Sequence, residues 1–261
     1  MNAKQDRIQA IADMLDRALH ERHYIDPVIM LEPGLNIEDA YAIQMKNVAR
    51  EVERGAVISG KKIGLTSLAM QTVLGVGEPD YGHLLNTMDV SHGKAPIDRL
   101  LQPKAEGEIA FVLKEDIAGP NATLEDVLAA TDYVVAAIEI VDCRIRDWRI
   151  KLIDTVADNA SSGLYVLGPN RVRPDKIMLV NECMQLYKNG EWVNAGCGAD
   201  VMGHPALCVA WLTNMLHRYG VTLKRGEVVL SGALSAAVVA QRGDRFEAVF
   251  NQLGTVKVEF V

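Results

Sequence analysis

The 261-residue chain lacks the features that would tie it to nucleic acid or to a membrane. It carries 27 Lys and Arg against 34 Asp and Glu, so its formal net charge is -7, and it has no basic cluster. This balance argues against nucleic acid and against an anionic membrane surface as partners. No apolar run approaches the roughly 20 residues that a membrane-spanning helix needs. Residues 1–7 lead into an amphipathic helix instead of an apolar signal region, so we expect a cytoplasmic protein.

Several common functional signatures are also missing. The four cysteines, Cys143, Cys183, Cys197 and Cys208, form no C-x-x-C pair, so we expect four free thiols in a reducing cytoplasm. There is no G-x-S-x-G elbow, no Walker loop and no G-x-G-x-x-G, which removes the commonest serine-hydrolase and nucleotide-binding signatures. Hydrophobic residues make up 49% of the chain, which is enough for a sizeable folded core.

Two amphipathic helices are predicted at the N-terminal end. Apolar residues recur at helical spacing from Ile8 to Leu19, and Asn36 is a typical N-cap with the acidic Asp39 three residues later. No linker rich in Pro, Gly or Ser follows them. We therefore expect residues 1–55 to form a helical layer packed on a β-rich catalytic domain that covers residues 56–261.

The rest of the chain alternates irregularly between strand and helix patterns. Residues 105–113 and 133–141 are predicted strands, residues 76–82 a loop, and the last 35 residues or so an all-β region. Ser67 is a predicted cap for a short helix that ends near Gly75. Because strands and helices do not alternate strictly, we expect an α+β fold with a mixed or antiparallel sheet.

Three glutamates carry the strongest chemical signal. Glu106 and Glu108 lie on the same face of one predicted strand, since alternate side chains of a strand point the same way. Glu139 interrupts a nearly continuous apolar strand, where a lone carboxylate needs compensation. If the two strands are neighbours, the three carboxylates form an all-oxygen site suited to Mg²⁺ or Mn²⁺. The alternative is a solvated face for the first two, with Glu139 paired to an arginine such as Arg144 or Arg146.

Other polar residues leave two interpretations open. One of the lysines at positions 61 and 62, between glycines, can anchor a substrate carboxylate or simply be solvated. Asp80 can be an acid or base on its loop, or an aspartate that only stabilises the turn. Ser161 and Ser231 lie in polar segments that can bind a ligand or form turns.

Five motifs in order resemble one known family. They are G-K-K-I-G-L-T at 60–66, G-E-P-D-Y-G at 77–82, P-K-A-E-G-E-I-A-F at 103–111, A-I-E-I-V-D-C-R-I-R-D-W at 137–148 and D-T-V-A-D-N-A-S at 154–161. Together they resemble the 2-hydroxypentadienoate (2-oxopent-4-enoate) hydratases of the fumarylacetoacetate hydrolase superfamily. The likeness runs over nearly the whole chain.

The resemblance implies a mixed β-roll, a homo-oligomer, and a Mg²⁺ or Mn²⁺ ion held by the three glutamates. It assigns catalytic roles to Lys62 and Asp80. Candidate substrate-binding residues are Leu65, Ser161 and Ser231.

The implied reaction belongs to the breakdown of catechol-type aromatics, in which water adds to 2-hydroxypenta-2,4-dienoate to give 4-hydroxy-2-oxopentanoate. The main rival is the related decarboxylase that acts on 4-oxalocrotonate (2-oxohex-3-enedioate). Asp80 and the I-R-D-W at 145–148 favour the hydratase, whereas the L-S-A-A-V at 234–238 is similar to the decarboxylase. A third alternative is a structural partner in a complex with that decarboxylase, although the intact glutamates and Asp80 argue against a purely structural role.

Overall fold

The computed structural model describes residues 3–67, 71–72 and 76–261, and every structural statement here concerns these residues. Six α-helices lie wholly within these residues. Their bounds are α1 (Ala3–Glu21), α2 (Val28–Leu31), α3 (Ile37–Glu53), α4 (Leu124–Ala130), α5 (Leu152–Ala157) and α6 (Pro205–His217). None of the described helices is both long enough and apolar enough to cross a lipid bilayer.

Twelve strands form two sheets in the described part of the chain. Their bounds are β1 (Ile58–Gly64), β2 (Asp80–Leu85), β3 (Lys94–Ala95), β4 (Lys104–Leu113), β5 (Thr131–Val141), β6 (Ser162–Leu167), β7 (Cys183–Lys188), β8 (Glu191–Cys197), β9 (Val228–Ala233), β10 (Val238–Val239), β11 (Arg245–Phe250) and β12 (Thr255–Phe260). The seven-stranded sheet has the order β2-β1-β9-β4-β5-β6, with β10 paired to β4, and the five-stranded sheet has the order β3-β12-β11-β7-β8. Since β1 pairs with β9 in parallel and most other pairs are antiparallel, the predicted α+β fold with a mixed sheet is confirmed.

The two faces of the seven-stranded sheet have different roles. On β4, Ile109 and Phe111 are fully buried in the main apolar cluster, together with Phe246 of the second sheet and residues of the helices. Ala110 and Val112 point to the opposite face and belong to a separate, smaller cluster. Because side chains alternate along a strand, Glu106 and Glu108 share this second face.

The predicted N-terminal helices are present. Asn36 accepts a hydrogen bond from the backbone N–H of Asp39, and the Asp39 carboxylate accepts one from the N–H of Asn36, which completes a capping box. The division of the chain at residues 55 and 56 stays a prediction. The short helix expected from Ser67 to Gly75 falls largely on residues outside the described ranges.

Two expectations about local structure were wrong. Asp80 lies at the start of β2 instead of in a loop, because its backbone pairs with Gly64 of β1. Cys183 and Cys197 are joined in a disulfide, since β7 and β8 pair in a register that places them opposite each other. Cys143 and Cys208 are buried free thiols, as expected.

Gln44 of α3 connects the helical layer to the strand and helix that position the site. Its Nε2 donates to the carbonyl oxygens of Tyr81 and Val156 at 3.1 and 2.9 Å, and its Oε1 lies 2.9 Å from Nδ1 of His83. Burial, and then the charge of Lys61, lower the pKa of His83 to about 3, so this ring is neutral. Gln44 therefore satisfies two buried carbonyls and a buried ring at once.

We predict that Gln44→Met lowers the free energy of unfolding by about 2–4 kcal/mol, because it leaves several buried polar groups without partners. Urea denaturation measures the change. Gln185→Met is the matched control, since Gln185 is exposed on β7. Equal stability of the two variants would contradict the linking role of Gln44.

Candidate metal centre and catalytic site

The three glutamates converge on adjacent strands. β4 and β5 pair antiparallel, and Glu106 lies directly opposite Glu139. Each of Glu106, Glu108 and Glu139 offers one carboxylate oxygen, and these oxygens all lie within 4.8 Å of one another. The sequence predicted that these carboxylates would converge only if the two strands were neighbours, and β4 and β5 are neighbours.

These carboxylates are poorly satisfied by the protein itself. Glu108 is 0% exposed and Glu139 is 1% exposed, while Glu106 is half-buried. Within the described chain, Oε1 of Glu108 and both carboxylate oxygens of Glu139 accept no hydrogen bond. Buried polar atoms without partners are rare and costly, so this group requires a compensating positive charge.

The electrostatics of the cluster show the same repulsion. Burial and the neighbouring Glu139 carboxylate raise the pKa of Glu106 to about 8. Burial, followed by the charges of Glu139 and Glu106, also raises the pKa of Glu108 well above its ordinary value. In the protein alone, some of these groups therefore hold protons at neutral pH.

Lys62 supplies one positive charge beside the cluster. Its Nζ lies 3.2 Å from Oε1 of Glu139, and the residue is only 4% exposed. Burial opposes the charged form of Lys62, but the carboxylates, Glu139 first, outweigh burial and raise its pKa. Lys61 is also buried; its Nζ donates to Oε1 of Glu227 at 3.3 Å, and burial lowers its pKa. The alternative that the two lysines are solvated was therefore wrong.

The arginine alternative for Glu139 was also wrong. Nε of Arg144 donates to Oδ1 of Asp158 at 2.5 Å, and its terminal nitrogens donate to the carbonyl oxygens of Asp158 and Ser162. Arg144 is therefore committed to the turn that follows α5. Glu139 has Lys62 as its cationic neighbour instead.

Asp80 lies near Lys62 on the same face of the sheet. It is 1% exposed, and its Oδ2 accepts a hydrogen bond from Oγ1 of Thr155 at 3.2 Å. Its Oδ1 lies against Gly64, where a side-chain methyl group would overlap it. Burial raises the pKa of Asp80, although Lys62 and Thr155 oppose the rise, so this carboxyl is able to carry a proton.

Backbone geometry around β9 supports Glu108. The register of β4 and β9 shifts between Glu108 and Ala110, which makes a bulge at Ser231 and Gly232. The N–H of Gly232 donates to Oε2 of Glu108 at 2.8 Å. Gly232 has a φ of +108°, a conformation that side chains disfavour, and Oγ of the fully buried Ser231 has no hydrogen-bond partner among the described residues.

The two other candidate substrate-binding residues lie at the edges of this region. Leu65 directly follows β1 in the left-handed conformation, with a φ of +58°. Ser161 is buried in a left-handed turn at Asn159–Ser161. That turn packs on Gly82, the residue that pairs with Lys62.

The donor set fits a hard divalent ion. Three converging carboxylates, two of them with unpartnered buried oxygens, match the ligands that Mg²⁺ and Mn²⁺ prefer. A second cluster of Asp16, His20 and Glu51 lies at the surface, but the Arg54 guanidinium already donates to Asp16 and Glu51 there. Only the buried cluster combines convergence with unsatisfied oxygens in the described chain.

The sequence comparison identifies the family of this chain. Residues 87–261 match the fumarylacetoacetate (FAA) hydrolase C-terminal region, so the chain belongs to the fumarylacetoacetate hydrolase family and the resemblance drawn from its motifs is confirmed. It is 44% identical over 256 residues to 2-hydroxyhexa-2,4-dienoate hydratase from Comamonas testosteroni, covering 97% of each chain. It is 46% identical over 259 residues to 2-keto-4-pentenoate hydratase from Paraburkholderia xenovorans, covering 98% of this chain and 95% of the relative.

The structural comparison agrees with this assignment. The fold is similar to that of 4-oxalocrotonate decarboxylase from Pseudomonas putida, a structure complexed with magnesium and adipate. The TM-score is 0.95, the sequence identity is 35%, and the match covers 98% of each chain. The predicted fold type is confirmed, and a divalent metal is bound by a member of this family.

Three contributors to the site were missed from the sequence. Thr155 stands inside the 154–161 motif but received no role, and the N–H of Gly232 and the space at Gly64 are backbone features. Gly64 in the 60–66 motif and Gly232 beside the candidate Ser231 were the available signal, because glycine is favoured where another group approaches the backbone closely.

We predict that the metal-free protein becomes less stable as pH rises from about 5 to 8. The folded state keeps a proton on Glu106 up to a pKa of about 8, whereas the unfolded chain releases it near its ordinary value, so stability is lost over that window. Urea denaturation of chelator-treated protein across this range measures the slope. Glu106→Gln should flatten it, and a wild-type profile that is flat or rises with pH would contradict the repulsion.

Proposed function

We propose that this chain is a divalent-metal-dependent hydro-lyase that adds water to 2-hydroxypenta-2,4-dienoate and forms 4-hydroxy-2-oxopentanoate. The observation that carries the proposal is the buried triad of Glu106, Glu108 and Glu139, with Lys62 and Asp80 beside it, in a chain 44–46% identical to dienoate hydratases. The proposed pathway context is the degradation of catechol-type aromatics after ring cleavage.

The metal ion would be Mg²⁺ or Mn²⁺, held by the three glutamates. When bound, it supplies Lewis-acid polarisation of the substrate's carboxylate and 2-oxygen. A cation among the three carboxylates would also offset the burial and mutual repulsion that raise the pKa values of Glu106 and Glu108. Lys62 remains charged and anchors the anionic end of the substrate as a point charge.

Asp80 is the proposed acid. The protonated carboxyl gives its proton to C5 of the dienol, the 2-hydroxyl becomes a ketone, and the proton that it releases restores Asp80. Water then adds across C3 and C4, with hydroxyl at C4 and hydrogen at C3, so the net change is the addition of one water. A raised pKa suits this role, because the group must hold its proton near neutral pH.

Leu65, Ser161 and Ser231 are proposed to contact the substrate. Ser231 is supported by its buried hydroxyl without a hydrogen-bond partner in the described chain, and by the hydrogen bond from the N–H of its neighbour Gly232 to Glu108. Ser161 is supported by the packing of its turn on β2 at Gly82. Leu65 is supported by its place directly after β1, next to Gly64 and close in sequence to Lys62.

Decarboxylation of 4-oxalocrotonate is the second candidate, and one observation favours it. The segment 234–238, whose sequence is similar to the decarboxylase, runs beside the end of β4 that carries Glu106 and Glu108. The N–H of Leu234 donates to the carbonyl of Gly107 at 3.0 Å, and Val238 pairs with Ala105. A decarboxylase-like sequence therefore flanks Glu106.

The deciding experiment is an ultraviolet assay with the dienol and Mg²⁺ or Mn²⁺, in the absence of any decarboxylase. Loss of dienol absorbance with 4-hydroxy-2-oxopentanoate as the product supports the hydratase. Release of CO₂ from 4-oxalocrotonate without any hydration would replace this proposal with the decarboxylase. Inactivity towards both substrates would favour a structural partner of that enzyme.

We also propose a homo-oligomeric assembly, which the motif resemblance supports, and a cytoplasmic location. The resemblance allows a complex with 4-oxalocrotonate decarboxylase as well. Light scattering of the purified chain, alone and mixed with that enzyme, measures both assemblies.

We predict that Glu106→Gln weakens Mn²⁺ binding by at least about tenfold and lowers activity in parallel, because one charged ligand is lost. Isothermal titration with Mn²⁺ measures the affinity. Glu125→Gln is the control, since Glu125 is exposed on α4. Unchanged affinity in Glu106→Gln would return Glu106 to a solvated role.

We predict that Asp80→Asn lowers kcat by about 10²-fold or more while Mn²⁺ affinity stays within about twofold, because the amide cannot donate the proton. Asp132→Asn, at an exposed position of β5, should behave like the wild-type protein. Full turnover in Asp80→Asn would remove Asp80 from the proposed mechanism.

A further inference from the structure

Thr155 makes a side-chain contact that the proposed mechanism has not used. Its hydroxyl donates to Oδ2 of Asp80 at 3.2 Å, and the two residues are 5% and 1% exposed. The other carboxyl oxygen, Oδ1, accepts no hydrogen bond within the described chain. The two oxygens of Asp80 are therefore distinguished by Thr155.

The oxygen without a hydrogen bond, Oδ1, lies against Gly64, and Lys62 lies near the same glycine. A methyl group built on Gly64 would overlap Oδ1 of Asp80, and the same position is 3.6 Å from Nζ of Lys62. The oxygen without a hydrogen bond and the ammonium group of Lys62 therefore both lie close to Gly64 of β1. Oδ2 is held towards α5 by the Thr155 hydroxyl.

The helix that carries Thr155 is fixed from two directions. Asp154 accepts hydrogen bonds from the N–H of Lys151 at 2.7 Å and from the N–H of Ile29 at 3.1 Å. The carbonyl oxygen of Val156, which follows Thr155, accepts a hydrogen bond from Nε2 of Gln44 at 2.9 Å. A hydroxyl on such a helix has a defined position relative to β2.

We infer that Thr155 is a positioning residue that keeps Oδ2 of Asp80 occupied and leaves Oδ1 to carry the transferred proton. This inference rests on the proposed hydratase function. The hydroxyl donates to Oδ2, so the proton of the Asp80 carboxyl resides on Oδ1. Without the Thr155 hydroxyl, no hydrogen bond from the described chain distinguishes the two carboxyl oxygens, and the proton is presented to the substrate in only part of the population.

The first test compares hydroxyl-free and hydroxyl-bearing variants. Thr155→Val keeps the volume of the side chain, and we expect kcat to fall by about tenfold or more with KM within about threefold, because a misplaced reacting group mainly slows the chemical step. Thr155→Ser should return kcat to within about threefold of the wild-type value. Thr155→Ala provides a second hydroxyl-free variant if the valine is poorly folded.

Thr213→Val is the matched control. Thr213 is 1% exposed, and its hydroxyl donates at 2.8 Å to the carbonyl of Val209 within α6, so the variant loses a buried hydroxyl that does not contact Asp80. We expect it to keep wild-type kcat and to lose a similar amount of thermal stability. A kcat in Thr155→Val equal to that of Thr213→Val would overturn the inference.

A double-mutant cycle separates positioning from general destabilisation. In the Asp80→Asn background, Thr155→Val should lower kcat by less than about twofold, since residues that act through one group are not additive. An equal additional loss in both backgrounds would overturn the inference. Absence of dienol hydration by the wild-type protein would overturn the proposed function and this inference together, whereas normal Thr155→Val turnover in an active enzyme would overturn this inference alone.

Discussion

The repulsion among Glu106, Glu108 and Glu139 is the constraint around which the rest of this structure is arranged. Their carboxylate oxygens lie within 4.8 Å of one another, and most are removed from water. Burial and the nearby Glu139 carboxylate together raise the pKa of Glu106 to about 8, so the three carboxylates are not all ionised in the protein alone. A divalent cation among the three would remove this cost and join the sheet to the substrate.

The fold delivers this arrangement through strand register. Adjacent strands place Glu106 opposite Glu139, and the bulge in β9 aims the N–H of Gly232 at Glu108. The strand β1, which pairs with β9, brings Nζ of Lys62 to 3.2 Å from Oε1 of Glu139. The opposite face of the same sheet is apolar and buried against the helices and the second sheet, so the backbone that carries the charges is held firmly.

Part of this could be predicted from the sequence. Alternation along a strand placed Glu106 and Glu108 on one face, and a carboxylate inside an apolar run singled out Glu139. Strand pairing could not be deduced, because register depends on contacts between distant segments. For the same reason Asp80 was assigned to a loop, the pairing of Cys183 with Cys197 was missed, and Thr155 received no role.

The most direct test of the central claim is the position of Mn²⁺ in a crystal, located by its anomalous scattering. The account predicts one strong peak bounded by carboxylate oxygens of Glu106, Glu108 and Glu139, at about 2.2 Å from each, a usual distance for hard divalent ions. A crystal in which Mn²⁺ binds only elsewhere, such as at the surface cluster containing His20 and Glu51, would contradict it.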